Sequence, residues 1–163
     1  MTADRDATRA GETTLHLPPA GDAQLRFIGT IRTPFQRREA CPRQGREDGP
    51  ECRLELLPEL AAGLDGIEAF DRVEVLYWLH RARRDLLTQS PKSDGCTRGT
   101  FALRSPLRPN PIGTSVVKLV RRDGPSLIVR GLDCLDGTPL LDLKPVRCAY
   151  SVQAPPKPSD KVG

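Results

Sequence analysis

The apolar residues of this chain arrive in short alternating runs separated by turn signals, and that spacing limits it to short strands. Residues 25–32 (LRFIGTIR) alternate apolar and polar side chains and predict a strand that Thr33-Pro34 ends. Residues 53–57 predict a second short strand. Residues 73–79 (VEVLYWL), rich in β-branched and aromatic side chains, predict a third. Residues 100–103 read as strand-like. Residues 115–121 (SVVKLVR) and 126–132 (SLIVRGL) flank Arg122-Asp123-Gly124-Pro125, a hairpin turn built on Asp-Gly. Residues 140–146 (LLDLKPV) predict a last strand, broken at Pro145. One helical turn is predicted over 58–64 (PELAAGL), with Pro58 at its first position and Gly63 near its end. No strand runs through a Gly-rich turn into a helix, which argues against a Rossmann-type site. The pattern therefore predicts a mainly β fold, a barrel or a sandwich, with one or two short helices.

At 163 residues the chain has the size of one domain. Residues 1–24 and 153–163 carry almost no apolar pattern and read as a disordered arm and a disordered tail around an ordered domain over 25–152. The first 24 residues lack a basic segment followed by an apolar run, and no stretch approaches 18 apolar residues. A soluble, cytoplasmic protein is the expectation. Within 25–152 there are 21 Lys and Arg against 16 Asp and Glu, and 18 of the 21 are Arg. Arginine forks suit phosphates and carboxylates, so the excess fits RNA or an anionic small molecule without choosing between them. Five cysteines, at 41, 52, 96, 134 and 148, include no C-x-x-C pair, and the histidines are His16 and His80 alone. Ligands this scattered do not predict a metal site, and the thiols read as reduced and inert.

Three segments hold chemistry that backbone propensity does not require. Residues 102–113 (ALRSPLRPNPIG) place three prolines among Arg104, Arg108 and Asn110, a rigid loop that loses little entropy when a ligand binds. It reads equally as a covering loop whose arginines cap carbonyls. Residues 131–145 (GLDCLDGTPLLDLKP) collect Asp133, Asp136, Asp142 and Lys144 among apolar neighbours. Asp136-Gly137-Thr138-Pro139 is a turn in its own right. Asp142 and Lys144 share one strand face, which is either solvated or borders a cavity. The loop 37–50 contains Cys41-Pro42-Arg43-Gln44-Gly45, donors and an amide on a constrained backbone. Fourteen such residues inside a compact domain are unusual without a function. His80 closes the strongest strand, and no nucleophile motif accompanies it, so hydrolase chemistry is not expected.

The run TFALRSPLRPNPIGTSVVKL followed by RGLDCLDGTPLLDLKP resembles the signature of the TrmO or YaeB-like family (the TsaA-like domain). The early IGTIRTPF, the CPRQG loop and GLDGIEAFDRVEVLYWLH fit the same family, so the resemblance covers residues 25–150. It implies a small antiparallel β-barrel, usually a homodimer, that binds S-adenosylmethionine near the subunit boundary. It further implies methylation of N6 of threonylcarbamoyladenosine beside the anticodon of a tRNA. On this resemblance the cofactor would meet Pro42, Arg43, Gln44, His80, Arg81, Arg104, Ile112, Asp133, Cys134, Leu135 and Asp136, with Leu103, Ile112 and Leu135 as an apolar wall for adenine. Arg108, Asn110, Asp136 and Lys144 are the residues expected on the substrate side, with Asp136 or Asp142 as a proton acceptor. The chain departs from the longer family members in ending shortly after Tyr150 and in carrying Arg81 where Gln is expected. These departures keep two alternatives open: methylation of a small molecule or another RNA, and a non-catalytic cofactor-binding dimer.

Overall fold

The computed structural model describes residues 7–147 apart from 17, 20, 93 and 94. Nine strands are described: β1 (Thr13–Thr14), β2 (Gly29–Arg32), β3 (Glu51–Leu56), β4 (Arg72–Trp78), β5 (Leu86–Gln89), β6 (Arg98–Gly99), β7 (Ile112–Asp123), β8 (Ser126–Arg130) and β9 (Thr138–Pro145). Six of them close an antiparallel barrel in the order β2-β3-β8-β7-β4-β9, and β1-β5-β6 form a small separate sheet. The fold is thus mainly β and a barrel, as the resemblance implies.

Side-chain alternation explains the closure. Cys52, Leu54 and Leu56 of β3 point inward, as do Val73, Val75 and Tyr77 of β4, while the residues between them stay partly exposed. Ile31, Val117, Leu127, Val129 and Leu140 complete the core, each with none of its surface exposed. Burial of each such side chain stabilises the fold by about 1.5–3 kcal/mol. Register slips between Leu76 and Tyr77 and between Leu119 and Arg121 supply the bends a closed sheet needs.

Several boundaries differ from expectation. The β7–β8 turn is tighter than 122–125, because Asp123 pairs with Ser126 across Gly124-Pro125, and Gly124 has the positive φ (58°) of a type II′ first position. Residues 25–28 stay outside the barrel strand, with Leu25 and Phe27 exposed. Thr138 and Pro139 begin β9 rather than finishing a turn. Residues 100–103 do not extend a strand. Thr100–Ala102 form a 3-10 turn, because the buried Thr100 hydroxyl donates to the Leu86 carbonyl (2.7 Å) and accepts from Gln89 Nε2 (3.0 Å), drawing the chain inward. The expected helix Pro58–Leu64 is also 3-10, as are Arg38–Ala40 and Ile67–Ala69.

Described residues of the segment 1–24 meet β5 and its flanks. Leu15 N–H donates to the Asp85 carbonyl, Thr13 N–H to Thr88 Oγ1, and Ser90 N–H to Glu12 Oε1. β5 itself lies between residues 79 and 100, where the apolar pattern marks no strand. The tail 153–163 lies outside the described residues.

Candidate functional site

In the antiparallel order, β2, β4 and β8 finish at the barrel end where β3, β7 and β9 begin. The connections at that end enclose a cavity of about 1050 Å³. Its walls come from residues 41–45, the end of β4 and residues 79–82, the segment 101–108, the start of β7, and residues 131–135. A smaller crevice lies at the opposite end, under the 3-10 turn Pro58–Leu64.

Tyr77, only 4% exposed, reaches the cavity from the barrel core. Its hydroxyl donates to Asp133 Oδ1 (3.0 Å) and lies 2.9 Å from Ser115 Oγ. A carboxylate can only accept, so the phenol proton goes to Asp133 and Ser115 donates to the phenol oxygen. Burial, reinforced by the Asp133 charge, pushes the Tyr77 phenol well above its ordinary range. Tyr77 therefore remains a donor and never serves as a base. Burial likewise raises the Cys134 thiol to about 12 and lifts that of Cys41, the latter with help from Asp133. Both cavity thiols stay protonated and poorly nucleophilic.

Each wall is fixed by contacts behind it. Gly45 packs so tightly on the 131 turn that a Cβ there would lie 1.7 Å from the Gly131 carbonyl oxygen. This docking brings Pro42, Arg43 and Gln44 onto the cavity. Asp136 accepts from Thr33 N–H (3.1 Å) and Gln36 Nε2 (3.3 Å), and the Thr33 hydroxyl donates to the Cys134 carbonyl (2.9 Å). The segment 133–136 is thereby stitched to the end of β2. Arg108 Nη1 donates to the carbonyls of Leu103 and Ser105 (2.9 Å each), and Gln89 Nε2 donates to that of Leu107. Arg84 lies over the Trp78 ring and donates to the Pro109 carbonyl (2.7 Å). Arg38 donates to the Arg81 carbonyl.

Arg43, Arg81 and Arg104 line the cavity with no side-chain partner among the described residues. Several other guanidinium groups are paired: Arg32 with Glu55, Arg53 with Asp123, Arg122 with Asp65, and Arg121 and Arg130 with Glu51, whereas Arg26 and Arg37, away from the cavity, also have no side-chain partner among the described residues. Unpaired arginines around a concavity mark a place for an anionic group.

Residues 30–150 match the tRNA-methyltransferase O N-terminal domain family. The chain belongs to this family. A probable S-adenosyl-L-methionine-binding protein, VirR, of Rhizobium radiobacter is 54% identical over 93% of this chain and 86% of its own length. A probable S-adenosyl-L-methionine-binding protein of Archaeoglobus fulgidus is 50% identical over 75% of this chain and 33% of its own length. The crystal structure of TrmO from Pseudomonas aeruginosa superposes with a TM-score of 0.67 at 36% identity, covering 81% of this chain and 59% of that one. The chain therefore spans about three-fifths of the solved TrmO chain and a third of the archaeal relative.

Of the positions singled out for their resemblance to TrmO, the cavity collects Pro42, Arg43, Gln44, His80, Arg81, Arg104, Arg108, Ile112, Asp133, Cys134 and Leu135. Four others, Asp136, Asn110, Asp142 and Lys144, lie elsewhere. Asp136 is turned to the residues after β2, and Asn110 meets Arg84 (3.5 Å). Lys144 pairs with Asp142 (2.7 Å) further along β9, where Asp142 borders the opposite crevice. Arg108, which also lines the cavity, caps the carbonyls of Leu103 and Ser105. Sequence reasoning missed Tyr77, Ser115, Gly45 and Phe101. Ser115 was detectable: it shares the inward face of β7 with Val117, an unusual place for a hydroxyl without a polar partner.

Proposed function

We propose that this chain is an S-adenosylmethionine-dependent methyltransferase that methylates N6 of threonylcarbamoyladenosine beside the anticodon of a tRNA. The observation that carries the reading is the cavity itself: three unpaired arginines and one carboxylate, Asp133, face a single space. S-adenosylmethionine is an amino-acid zwitterion with a sulfonium cation and an adenosine, and the lining fits each part. Arg43, Arg81 and Arg104 offer forks for its carboxylate. Asp133, whose second oxygen has no partner among the described residues, offers a counter-charge to the ammonium or sulfonium group. Leu103, Ile112 and Leu135 form the apolar wall for the adenine, with backbone groups of 133–135 at its edge. His80, Pro42 and Gln44 complete the rim. When bound, the cofactor supplies an activated methyl group.

The chain's own contribution is alignment. An in-line displacement depends mostly on holding donor and acceptor in register, and the walls here are braced by buried or backbone-directed hydrogen bonds. With Cys41 and Cys134 protonated, a covalent relay through a thiol is disfavoured, which supports direct transfer. Asp136 and Arg108 act as braces in this reading, one for the 133–136 segment and one for the proline loop.

The chain also works as a homodimer in this proposal. Ile112 and Val116, 42% and 54% exposed, belong both to the outer row of β7 and to the cavity wall, so a second copy covering that row would close the cavity. The deciding experiment is transfer of label from radiolabelled S-adenosylmethionine into tRNA lacking this modification, with Arg104→Ala beside the wild type. Label in a threonine tRNA, lost in the variant, is the expected result. No label, with cofactor binding intact by calorimetry, would move the acceptor to another RNA or a small molecule.

A further inference from the structure

We propose that Phe101 is a stacking platform for an unstacked nucleobase of the acceptor strand. Phe101 is 76% exposed and lines the mouth of the cavity. A single exposed aromatic side chain is ordinary; three observations make this one different.

The first is how the ring is held. Phe101 is the middle residue of the turn Thr100–Ala102, and its neighbour Thr100 is 1% exposed. Thr100 is tied to Leu86 and to Gln89, and Leu103 N–H closes the turn on the Thr100 carbonyl. With Thr100 anchored inward, Phe101 is presented outward on a fixed backbone. A rigid aromatic surface binds a flat partner without first losing much freedom.

The second is space. A cavity of about 1050 Å³ lies at the top of the roughly 300–1,000 Å³ usual for one small-molecule ligand. Leu103 and Leu135, half-buried, already offer an apolar wall for the adenine of the cofactor, so the ring at the mouth is left for a second planar group. The third is charge. Arg38, Arg81, Arg104 and Arg108 line the same cavity as Phe101, so a strand that meets the ring also meets a positive rim. An aromatic face beside a positive rim suits a single strand, whose bases stack while its phosphates face positive charge.

This inference rests on the acceptor being an RNA, and the test separates the two. Binding of a fluorescent anticodon stem-loop RNA is measured by anisotropy, in the presence of S-adenosylhomocysteine, for the wild type, Phe101→Ala and Phe101→Trp. Phe101→Ala is expected to weaken RNA binding about tenfold, and Phe101→Trp to restore it. The dependence on salt should stay that of the wild type, because no phosphate contact is lost. Affinity for S-adenosylmethionine, read by calorimetry, should not change. Equal RNA binding by wild type and Phe101→Ala would overturn the stack alone, and no RNA binding by the wild type would overturn the RNA reading with it. A loss of cofactor affinity in Phe101→Ala would place the ring against the cofactor instead. A change of oligomeric state by light scattering would place it in a subunit contact. Either result would overturn the proposal.

Discussion

At the far end of the barrel, Arg122 donates to Asp65 (2.9 Å), to the Ala61 carbonyl (3.0 Å) and to the Gly124 carbonyl (3.0 Å), and its side chain is only 23% exposed. At the cavity end, Arg43, Arg81 and Arg104 have no such partners among the described residues. The residue type is the same and the work is different. Arg122 fastens the turn Pro58–Leu64 to the β7–β8 hairpin and so stabilises one packed end. The cavity arginines contribute little to folding, and their uncompensated charge is what a ligand would find. Composition cannot separate the two populations, because both count equally toward the basic excess.

Substitutions can break this contrast or sharpen it. The largest effect is expected from Arg43→Ala combined with Arg104→Ala. Two charge-assisted hydrogen bonds of about 1.5–3 kcal/mol each would be lost, so methyl transfer should fall at least ~100-fold, with the melting temperature unchanged. A drop in melting temperature of the kind expected for Arg122→Ala would show that these arginines are structural too.

Next is Gly45→Ala. The new Cβ would collide with backbone rather than with a movable side chain, so the 42–45 loop must lift off the Gly131 turn. Cofactor affinity measured by calorimetry should fall about tenfold, with about 1–3 kcal/mol of stability lost in denaturant titration. Arg122→Ala should cost about 1–3 kcal/mol of stability while leaving cofactor affinity as in the wild type, the reverse of the first outcome.

A separate effect, confined to alkaline pH, comes from the buried thiols. Burial holds Cys134 at about 12 and Cys52 at about 11, against 9.0 for a free thiol. Below pH 9 the folded and unfolded thiols are both protonated, and the stability is fully present. As pH rises from 9 towards 11 the unfolded chain loses these protons first, so stability falls, by up to about 1.4 kcal/mol per pH unit for each thiol. Cys134→Ala should flatten that fall in denaturant titrations between pH 9 and 11. The smallest effect belongs to Arg53→Ala, which removes an exposed pair with Asp123. It should change stability by less than about 1 kcal/mol and methyl transfer not at all.

Strands that bury one face were legible in the sequence, because their alternation is set by the core they enclose. Residues 73–79 and the β7–β8 hairpin fall where the pattern puts them, within a residue or a few. β1 and β5 were not legible. They lie outside the barrel, and β1 is held to β5 across more than 70 positions, as by Thr13 to Thr88, which leaves no local periodicity. Residues 100–103 misled because Thr100 and Phe101 favour strands, while the buried hydroxyl of Thr100 decides the turn. At the site, residue types were visible and directions were not. Asp133 and Asp136 look alike in DCLD, yet one faces the cavity and the other braces the chain behind it. Lys144 and Asp142 share a strand face as expected, but satisfy each other away from the cavity.

The pairing of Gly113 with Tyr77 reaches beyond this one molecule. A Cβ at 113 would stand 2.2 Å from the Tyr77 ring, and that ring cannot swing aside while its hydroxyl is bound between Ser115 and Asp133. The two positions are therefore free to drift through evolution only together. A relative with a side chain at the counterpart of 113 should also have given up the tyrosine, and with it the hydrogen bond that orients the aspartate. Such covariation would be the inherited trace of the cavity floor, readable in sequences whose structures have never been determined.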